Sequence, residues 1–357
     1  NLAAIGALTL YRTLRYGANV DLILTDNRSY RSEPVIDTPD LDPFDPKGFS
    51  YYGCDDAFAV LDAGREYDRG APPQTIRFDG KDLPNPRATA APGTILGAKQ
   101  KAWFLEQLRT ASAPWKVWGN SVGSLDWRTD LQNLPQGKGP AWPSSGYGLM
   151  AGEDWSVYRT ERNAILDTVR ANGVTGFVSL AGDRHAFTAG LLSPTLPPES
   201  FAPVGAEFIT GSISAPGLVE SAEHNIAKDE PHRAIYFHDT PTGSATTINA
   251  ALRHGVKSCL VMQETGDRDE ALAARNPDVA PHLSFVDLGG HGYSLVTASP
   301  RAMDVEFLCI PRPIDRATGD DGGPVLYRVS LHVPLWAPGV APRMERRDLE
   351  GTPPLMA

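Results

Sequence analysis

The chain has 357 residues, of which 41% are hydrophobic and 21% are charged, a composition typical of globular proteins. It contains no apolar run near the roughly 18 residues that a membrane-spanning helix needs, so no membrane span is predicted. The formal net charge is −10, and Lys and Arg do not cluster, which argues against a nucleic-acid-binding surface. The length allows one large domain or two ordinary ones.

The cysteines and the first residue say little about the compartment. Cys54, Cys259 and Cys309 lack the spacing of a structural zinc site or a disulfide framework. A bridge between Cys259 and Cys309 stays open for an oxidising compartment. The chain starts at Asn1 inside an apolar run, without an initiator Met, which indicates a processed or truncated beginning.

Apolar periodicity in the first third predicts two helices and two strands around a long irregular segment. The helices are residues 2–14 and 96–112, the strands are residues 18–26 and 115–122, and the irregular segment is residues 34–95. Its many prolines, glycines and aspartates are incompatible with long helices. Segments of that length usually cover or line a binding site.

The middle of the chain continues the alternation of helices and strands. After a second irregular loop at residues 126–152, the pattern predicts a helix over 156–173 and strands over 176–181 and 206–214. Strands separated by helices predict an α/β or layered α+β fold.

The last third is predicted to be rich in β-structure. A short helix at 268–275 is followed by β segments at 284–288, 293–297 and 303–310, a possible meander with residues 291–293 in the turn between the first two segments. Residues 311–323 are predicted to form a turn-rich linker, and the alternating pattern of residues 325–333 predicts a strand. The polar tail from residue 342 is predicted to be loosely ordered.

Three predicted strands end in polar side chains that suit a metal or an anion. The pairs are Asp26 with Arg28, Asn120 with Ser121, and Asp183 with His185. The carboxyl ends of strands form ligand-binding crevices in α/β proteins, and a carboxylate with an imidazole makes half of a plausible metal site. Alternatively, Asp183 caps the next segment and His185 is a packed core histidine.

Five segments, in this order, resemble the PhoD-type alkaline phosphatase family of the calcineurin-like metallophosphoesterase superfamily. They are YRTLRYGANVDLILTDNRSYR, LGAKQKAWFLEQLRTASAPWKVWGNSV, EDWSVYRTERNAIL, SLAGDRHAF and HLSFVDLGGHGYSLV. The fourth is similar to the family's Gly-Asp-x-His motif and the last to its His-Gly-Tyr strand. The order of the five segments is more specific than any one of them.

The resemblance implies two packed β-sheets flanked by helices, with two or three metals at the strand ends. Carried over residue by residue, His185 would bind an iron-type metal and Asp183 a calcium-type metal, with zinc or manganese as further options. Asn120 corresponds to a ligand of the second metal; its alternative role is to cap a turn.

The resemblance also implies roles for polar residues around those ligands. Asp26 and Arg28 match an Asp-x-Arg motif, and the Arg28 guanidinium would clamp phosphate oxygens. The alternative is an ion pair of Asp26 with Arg28 or Arg31 that ties down the long loop. His291 and Tyr293 would lie behind the metal ligands or, alternatively, form a packed turn.

The implied activity is hydrolysis of phosphate mono- or diesters by a metal-activated water, in an exported, periplasmic or secreted enzyme. The family's earlier metal motifs precede the equivalent of Tyr11 and have no counterpart here. We expect that an N-terminal part either completes the site as a separate, cleaved polypeptide or has been lost. On this interpretation residues 1–312 are the C-terminal portion of a catalytic domain, and residues 313–357 are an extension with one strand and a loose tail. The chain alone should be inactive.

Two other classes of function compete with this one. A serine hydrolase would require a Gly-x-Ser-x-Gly elbow, and neither Gly211-Ser212 nor Gly243-Ser244 has the second glycine at the right spacing. The non-enzymatic alternative is a metal-binding or structural module, or an inactive relative.

Overall fold

The fold is described from a computed structural model. It describes residues 8–354 and 356, apart from residues 38, 50, 151, 242 and 315–322. Two β-sheets pack against each other, and most helices lie outside them. The predicted mixed α/β architecture with two packed sheets is therefore confirmed.

The strands and helices are numbered here in chain order. The strands are β1 (Arg12–Tyr16), β2 (Val20–Leu24), β3 (Tyr52–Cys54), β4 (Thr75–Phe78), β5 (Lys81–Pro84), β6 (Trp115–Val122), β7 (Arg128–Thr129), β8 (Gly148–Met150), β9 (Phe177–Gly182), β10 (Phe187–Leu192), β11 (Gly205–Ile209), β12 (Phe237–Thr240), β13 (Gly243–Thr246), β14 (Leu283–Asp287), β15 (His291–Ala298), β16 (Ala302–Ile310), β17 (Tyr327–Pro334) and β18 (Glu345–Gly351). The helices are α1 (Asp55–Ala63), α2 (Tyr67–Gly70), α3 (Gly97–Thr110), α4 (Arg159–Ala171), α5 (Leu218–Asn225), α6 (Ile248–His254), α7 (Val256–Thr265) and α8 (Arg268–Ala273).

The larger sheet has seven strands in the order β1-β2-β6-β9-β11-β10-β14. Its centre, from β2 to β11, is parallel, and β1, β10 and β14 pair antiparallel to their neighbours. The four strands predicted around residues 20–25, 115–119, 176–181 and 206–213 are confirmed as β2, β6, β9 and β11. Because these four strands are parallel, their carboxyl ends lie at one edge of the sheet.

The first predicted helix is wrong where the structure describes it. Residues 1–7 lie outside the described residues, whereas Arg12–Tyr16 forms β1, paired residue by residue with β2. Gly17 has a φ of 60°, a left-handed conformation that lets the chain reverse after β1. An ion pair of 2.6 Å between Arg15 Nε and Asp21 Oδ1 spans the hairpin. Pairing with β2 satisfies the backbone groups that a helix would have bonded internally.

The smaller sheet is antiparallel, in the order β15-β16-β17-β18, and its inner face packs on the larger sheet. The shared core includes Trp115, Val178 and Phe208 from one sheet and Phe307 and Val329 from the other. A face-to-face contact of this kind buries the alternating apolar residues of both sheets.

Two predictions for the end of the chain are wrong. Residues 291–293 do not turn between paired segments, because β14 belongs to the larger sheet and His291 already begins β15 of the smaller one. The tail is not loose throughout, since Glu345–Gly351 forms β18 against β17. The side chains of β18 are all exposed, so its polar composition is compatible with an edge strand whose backbone is paired on one side. The smaller sheet thus takes strands from both sides of the predicted boundary at residue 312.

The predicted helices at 96–112, 156–173 and 268–275 are confirmed as α3, α4 and α8. On the outer side of the larger sheet, Phe104 of α3 packs against Trp118 of β6, which also contacts Trp155 and Phe177. No helix in the described ranges is long and apolar enough to cross a membrane.

The three cysteines are free and buried. Cys259 packs in the core beneath the helices and Cys309 in the core between the two sheets. The bridge left open from the sequence does not form, because the two thiols belong to different cores.

Candidate active site

Three loops meet at the carboxyl edge of the parallel strands. They follow β2, β6 and β9. The loops after β2 and β9 carry Asp26 with Arg28 and Asp183 with His185, whereas Asn120 and Ser121 lie at the end of β6 itself. The loop after β9 contains Asp183 and His185, the two side chains expected to bind metal.

Asp183 and His185 both adopt left-handed backbone conformations, with φ values of 68° and 51°. For residues other than glycine, such conformations cost about 1 kcal/mol or more and persist only where the surroundings impose them. Such strain clusters at functional sites because it fixes side-chain direction. Asp183 is exposed and His185 half-buried, so both side chains reach the surface of this edge.

Arg184, between them, supplies the constraint. Its Nη2 atom pairs with Asp154 Oδ2 at 2.8 Å, and its Nη1 atom donates to the Leu125 carbonyl oxygen at 2.7 Å. Its guanidinium also lies 4.5 Å from the centre of the Trp127 ring. With Arg184 buried and held on three sides, its two neighbours are directed outward.

The His185 ring has an orientation that suits metal binding. Its Nδ1 atom lies 2.7 Å from the Pro216 carbonyl oxygen, in the loop after β11. Because a carbonyl oxygen only accepts hydrogen bonds, Nδ1 carries the proton, and Nε2 of the neutral ring keeps its lone pair. Histidines that bind metals usually donate their other ring N–H in this way. Asp183 and His185 therefore fit the donor set of a metal site.

Asp26 serves a local role in the loop after β2. Its Oδ1 atom accepts from the backbone N–H groups of Arg28 at 3.0 Å and Ser29 at 2.9 Å. Burial opposes the charged form, but the hydrogen bonds from Ser29 and Arg28 outweigh it and lower the pKa of Asp26. The carboxylate thus closes a turn that positions Arg28, and its part in a reaction stays a prediction.

Arg28 is brought to the predicted metal ligands. Its Nη2 atom lies 3.4 Å from Asp183 Oδ1, and its Nη1 atom lies 3.1 Å from Glu153 Oε2. About half of its side chain is exposed (54%), so the guanidinium is accessible from solvent. The sequence paired Arg28 or Arg31 with Asp26, whereas in the structure both arginines pair with Glu153.

Asn120 lies buried at the end of β6, where its carbonyl oxygen already has two donors. Asn27 Nδ2 donates to Asn120 Oδ1 at 2.6 Å and Trp155 Nε1 donates to it at 3.1 Å. Its amide nitrogen lies 3.4 Å from Ser179 Oγ. A metal at Asn120 Oδ1 would replace one of these hydrogen bonds, and its role as a ligand stays a prediction.

His291 and Tyr293 occupy different environments. His291 is buried, with Nδ1 at 3.3 Å from Ser212 Oγ and Nε2 at 3.5 Å from Glu220 Oε2. Ser212 lies in the loop after β11, whose Pro216 carbonyl oxygen contacts His185, so His291 contacts the same loop as a predicted metal ligand. Tyr293 is 43% exposed on β15. The structure thus connects only His291 with the site.

Three residues that frame the site were missed from the sequence. Arg184 occupies the variable position of the Gly-Asp-x-His motif, and Glu153 and Asp154 open the EDWSVY segment. The adjacent carboxylates bind two different loops: Asp154 binds Arg184, and Glu153 binds Arg28 and Arg31. The arginine inside the motif could have indicated that a carboxylate such as Asp154 pairs with it. Nothing in the sequence indicated the partners of Glu153.

Within the described part of the chain, no three His, Cys, Asp or Glu side chains group where they could hold a metal ion. Asp183 and His185 stay predicted ligands, and two protein ligands are fewer than metal centres of this kind usually have.

Comparisons with known proteins agree with this architecture. A family profile described as PhoD-like phosphatase matches residues 3–307. Alkaline phosphatase D of Bacillus subtilis (strain 168) is 25% identical over 191 residues, which are 53% of this chain and 30% of that protein. A solved structure described as "Structure of PhoD" aligns with 97% of this chain and 45% of its own, with a TM-score of 0.51 and 17% identity, a likeness of fold.

This chain therefore spans less than half the length of either of those relatives. The family match covers most of the chain and includes all three strand-end loops. The chain belongs to the PhoD-like phosphatase family.

Proposed function

We propose that this chain carries part of the active site of a phosphoesterase that hydrolyses phosphate mono- or diesters. Family membership supports a phosphoesterase. The observation that carries the proposal is the β9 loop, where buried Arg184 directs Asp183 and His185 outward in left-handed conformations beside Arg28. An exposed carboxylate, an oriented imidazole and a guanidinium together suit metal and phosphate.

In this proposal Asp183 and the Nε2 atom of His185 hold the metals. Carboxylate oxygen suits a calcium-type ion and imidazole an iron-type ion, with zinc or manganese as alternatives for the latter. Bound metal would lower the pKa of a water molecule and polarise the phosphoryl group. Arg28 binds the phosphoryl oxygens and offsets the charge that develops on them, and Asp26 keeps its backbone in place. The Pro216 carbonyl oxygen keeps the proton of His185 on Nδ1.

The remaining ligands are proposed to come from an N-terminal polypeptide of the same precursor. Asp183 and His185 make only two proposed ligands, and the greater length of the relatives supports this part of the proposal. Asn120 would join the site if the metal displaced the hydrogen bond of Asn27 or Trp155. A periplasmic or secreted location is proposed on the same family resemblance.

Hydrolysis assays test the proposal on protein purified from its native cells with whatever polypeptides accompany it. The substrates are p-nitrophenyl phosphate and bis-p-nitrophenyl phosphate, and N-terminal sequencing identifies each polypeptide. We expect hydrolysis that falls at least 100-fold in Asp183→Ala and His185→Ala, with Glu106→Gln on the surface of α3 as the matched control. Hydrolysis unchanged by both site variants would contradict the proposal, and a metal-free, inert preparation would favour the non-catalytic module.

A further inference from the structure

Two arginines share one carboxylate beside the β9 loop. Arg31 Nη2 and Arg28 Nη1 both contact Glu153 Oε2, at 2.5 and 3.1 Å. Arg31 Nη1 also donates to the Glu153 backbone oxygen at 3.2 Å. The two guanidinium groups therefore converge on a single anionic oxygen atom.

The position of Glu153 follows from the residue after it. Asp154 forms an ion pair with the buried Arg184 at 2.8 Å and accepts a hydrogen bond from the Ser156 backbone N–H at 2.8 Å. Glu153 is thereby held between the β9 loop and the loop that carries both arginines. Its own side chain is 50% exposed, so solvent and solutes reach the carboxylate.

Arg28 connects this pair with the proposed metal ligands. Its second nitrogen, Nη2, faces Asp183 Oδ1 at 3.4 Å, while Nη1 faces Glu153. Arg31 is less exposed than Arg28, with 16% of its side chain accessible against 54%. Arg31 is thus the fixed member of the pair, and Arg28 is the member that faces Asp183.

We propose that Arg28 and Arg31 form a fork that binds a phosphate group, and that the Glu153 carboxylate is its resting occupant. Both guanidinium groups now donate to the negatively charged Glu153 Oε2. A phosphate oxygen is likewise a negatively charged hydrogen-bond acceptor and can take its place. Binding of a phosphate ester exchanges one anion for another, and the Glu153 side chain turns into solvent. Arg31, which the sequence offered only as an alternative loop tie, becomes a phosphate-binding residue. The proposal rests on the proposed function in that it places the ester's phosphate beside Asp183.

The competing role for these contacts is a purely structural ion pair between two loops. Exposed ion pairs contribute little to stability and tolerate loss of one partner. A structural tie predicts that removing the Glu153 charge leaves anion binding unchanged. A resting occupant predicts that the same change strengthens it, because phosphate no longer has to displace a carboxylate.

Calorimetric titration with inorganic phosphate separates the two roles at constant ionic strength, on metal-stripped protein. We expect Glu153→Gln and Glu153→Ala to lower the dissociation constant of phosphate at least fivefold. Arg31→Lys should raise it at least fivefold, because lysine lacks the planar fork. Glu106→Gln is the matched control, since Glu106 forms an exposed pair with Arg109 at 2.7 Å on α3.

Each outcome decides the proposal. Phosphate binding that does not tighten in either Glu153 variant, or that tightens equally in Glu106→Gln, would overturn it, as would absence of detectable phosphate binding in every variant. Thermal unfolding of each variant checks that it is folded. Because titration needs no turnover, tighter phosphate binding in a protein without hydrolytic activity would keep the fork and reject the proposed function. Hydrolysis without the change in phosphate affinity would do the reverse.

Discussion

Two layers of polar side chains lie at the carboxyl edge of the larger sheet, and they differ in how their hydrogen bonds are used. The inner layer is the buried polar chain Asn27, Asn120, Ser179 and Glu207, joined by contacts from strand to strand. Glu207 has no exposed surface and accepts from the backbone N–H groups of Ser124 and Leu125 and from two serine hydroxyls.

The outer layer consists of Asp183, His185 and Arg28. Asp183 has 44% of its side chain exposed and one ion-pair contact, Arg28 at 3.4 Å. Glu207 is thus saturated, whereas Asp183 has oxygen lone pairs available for a ligand. Glu207 therefore stabilises the fold, whereas Asp183, in the loop after β9, keeps acceptor capacity for the ligand role proposed above.

The largest expected effect is on the inner layer. Glu207→Gln presents an amide N–H₂ group to donors that need an acceptor, so buried N–H and O–H groups lose their partners. We expect the free energy of unfolding to fall by about 4 kcal/mol. Urea unfolding followed by tryptophan fluorescence measures it, and a loss similar to that of Asp183→Asn would remove the distinction between the layers.

A smaller loss is expected for the anchor between the layers. Arg184→Met keeps much of the side-chain length but leaves the Asp154 carboxylate and the Leu125 carbonyl oxygen without their charged donor. Breaking a buried ion pair on one side costs about 3 kcal/mol. Urea unfolding should show this loss, whereas Arg28→Met, on the exposed arginine, serves as the control with little change. Equal stability of the two variants would show that Arg184 is not the anchor.

The pH dependence of stability probes a buried histidine just before β14, His282. His282 is buried, with 2% of its surface exposed. Its Nε2–H donates to the Asp126 carbonyl oxygen at 2.8 Å. Burial lowers the pKa of His282 from 6.5 to about 4. As the pH falls, His282 binds a proton in the unfolded chain at a higher pH than in the folded chain. The stability associated with neutral His282 is therefore lost as pH falls from 6.5 toward 4.

From pH 7 to pH 5 this one histidine should lower the free energy of unfolding by about 2 kcal/mol. His282→Gln keeps an N–H donor but does not titrate. Between pH 7 and pH 5 the free energy of unfolding of this variant should therefore fall by about 2 kcal/mol less than that of the unaltered protein. The half-buried His254, whose pKa is also lowered to about 4, contributes equally to both proteins and cancels. Parallel pH profiles of the two proteins would contradict the assignment.

The smallest effect on stability is expected for the outer layer. Asp183→Asn preserves shape and removes a charge from an exposed group, so the free energy of unfolding should change by less than about 0.5 kcal/mol. The same variant should bind calcium at least tenfold more weakly by calorimetry on the native assembly. A large loss of stability would place Asp183 among the structural carboxylates instead.

The sequence could predict the outer layer because its signals are local. Apolar runs ending in Asp26-Asn27-Arg28 and Asp183-Arg184-His185 indicate strand ends whatever the rest of the chain does. The parallel strands then bring these ends together, as the contact of Arg28 with Asp183 illustrates.

The inner layer and the edge strands could not be predicted in this way. Asn120 looks like an available amide until Asn27 and Trp155, distant in sequence, are seen to donate to its oxygen. β1 and β18 lack a clear alternating pattern because an edge strand needs a neighbouring backbone more than an apolar face. Their residues, Arg12–Tyr16 and Glu345–Gly351, are almost all exposed.

Metal content measures the central claim, that Asp183 and His185 are metal ligands on a structural scaffold. Inductively coupled plasma mass spectrometry of protein from native cells should find iron and calcium in stoichiometric amounts in the unaltered protein and in Glu106→Gln. Calcium should be lost from Asp183→Ala and iron from His185→Ala, with both variants folded. Metal content unchanged in both folded variants would contradict the account.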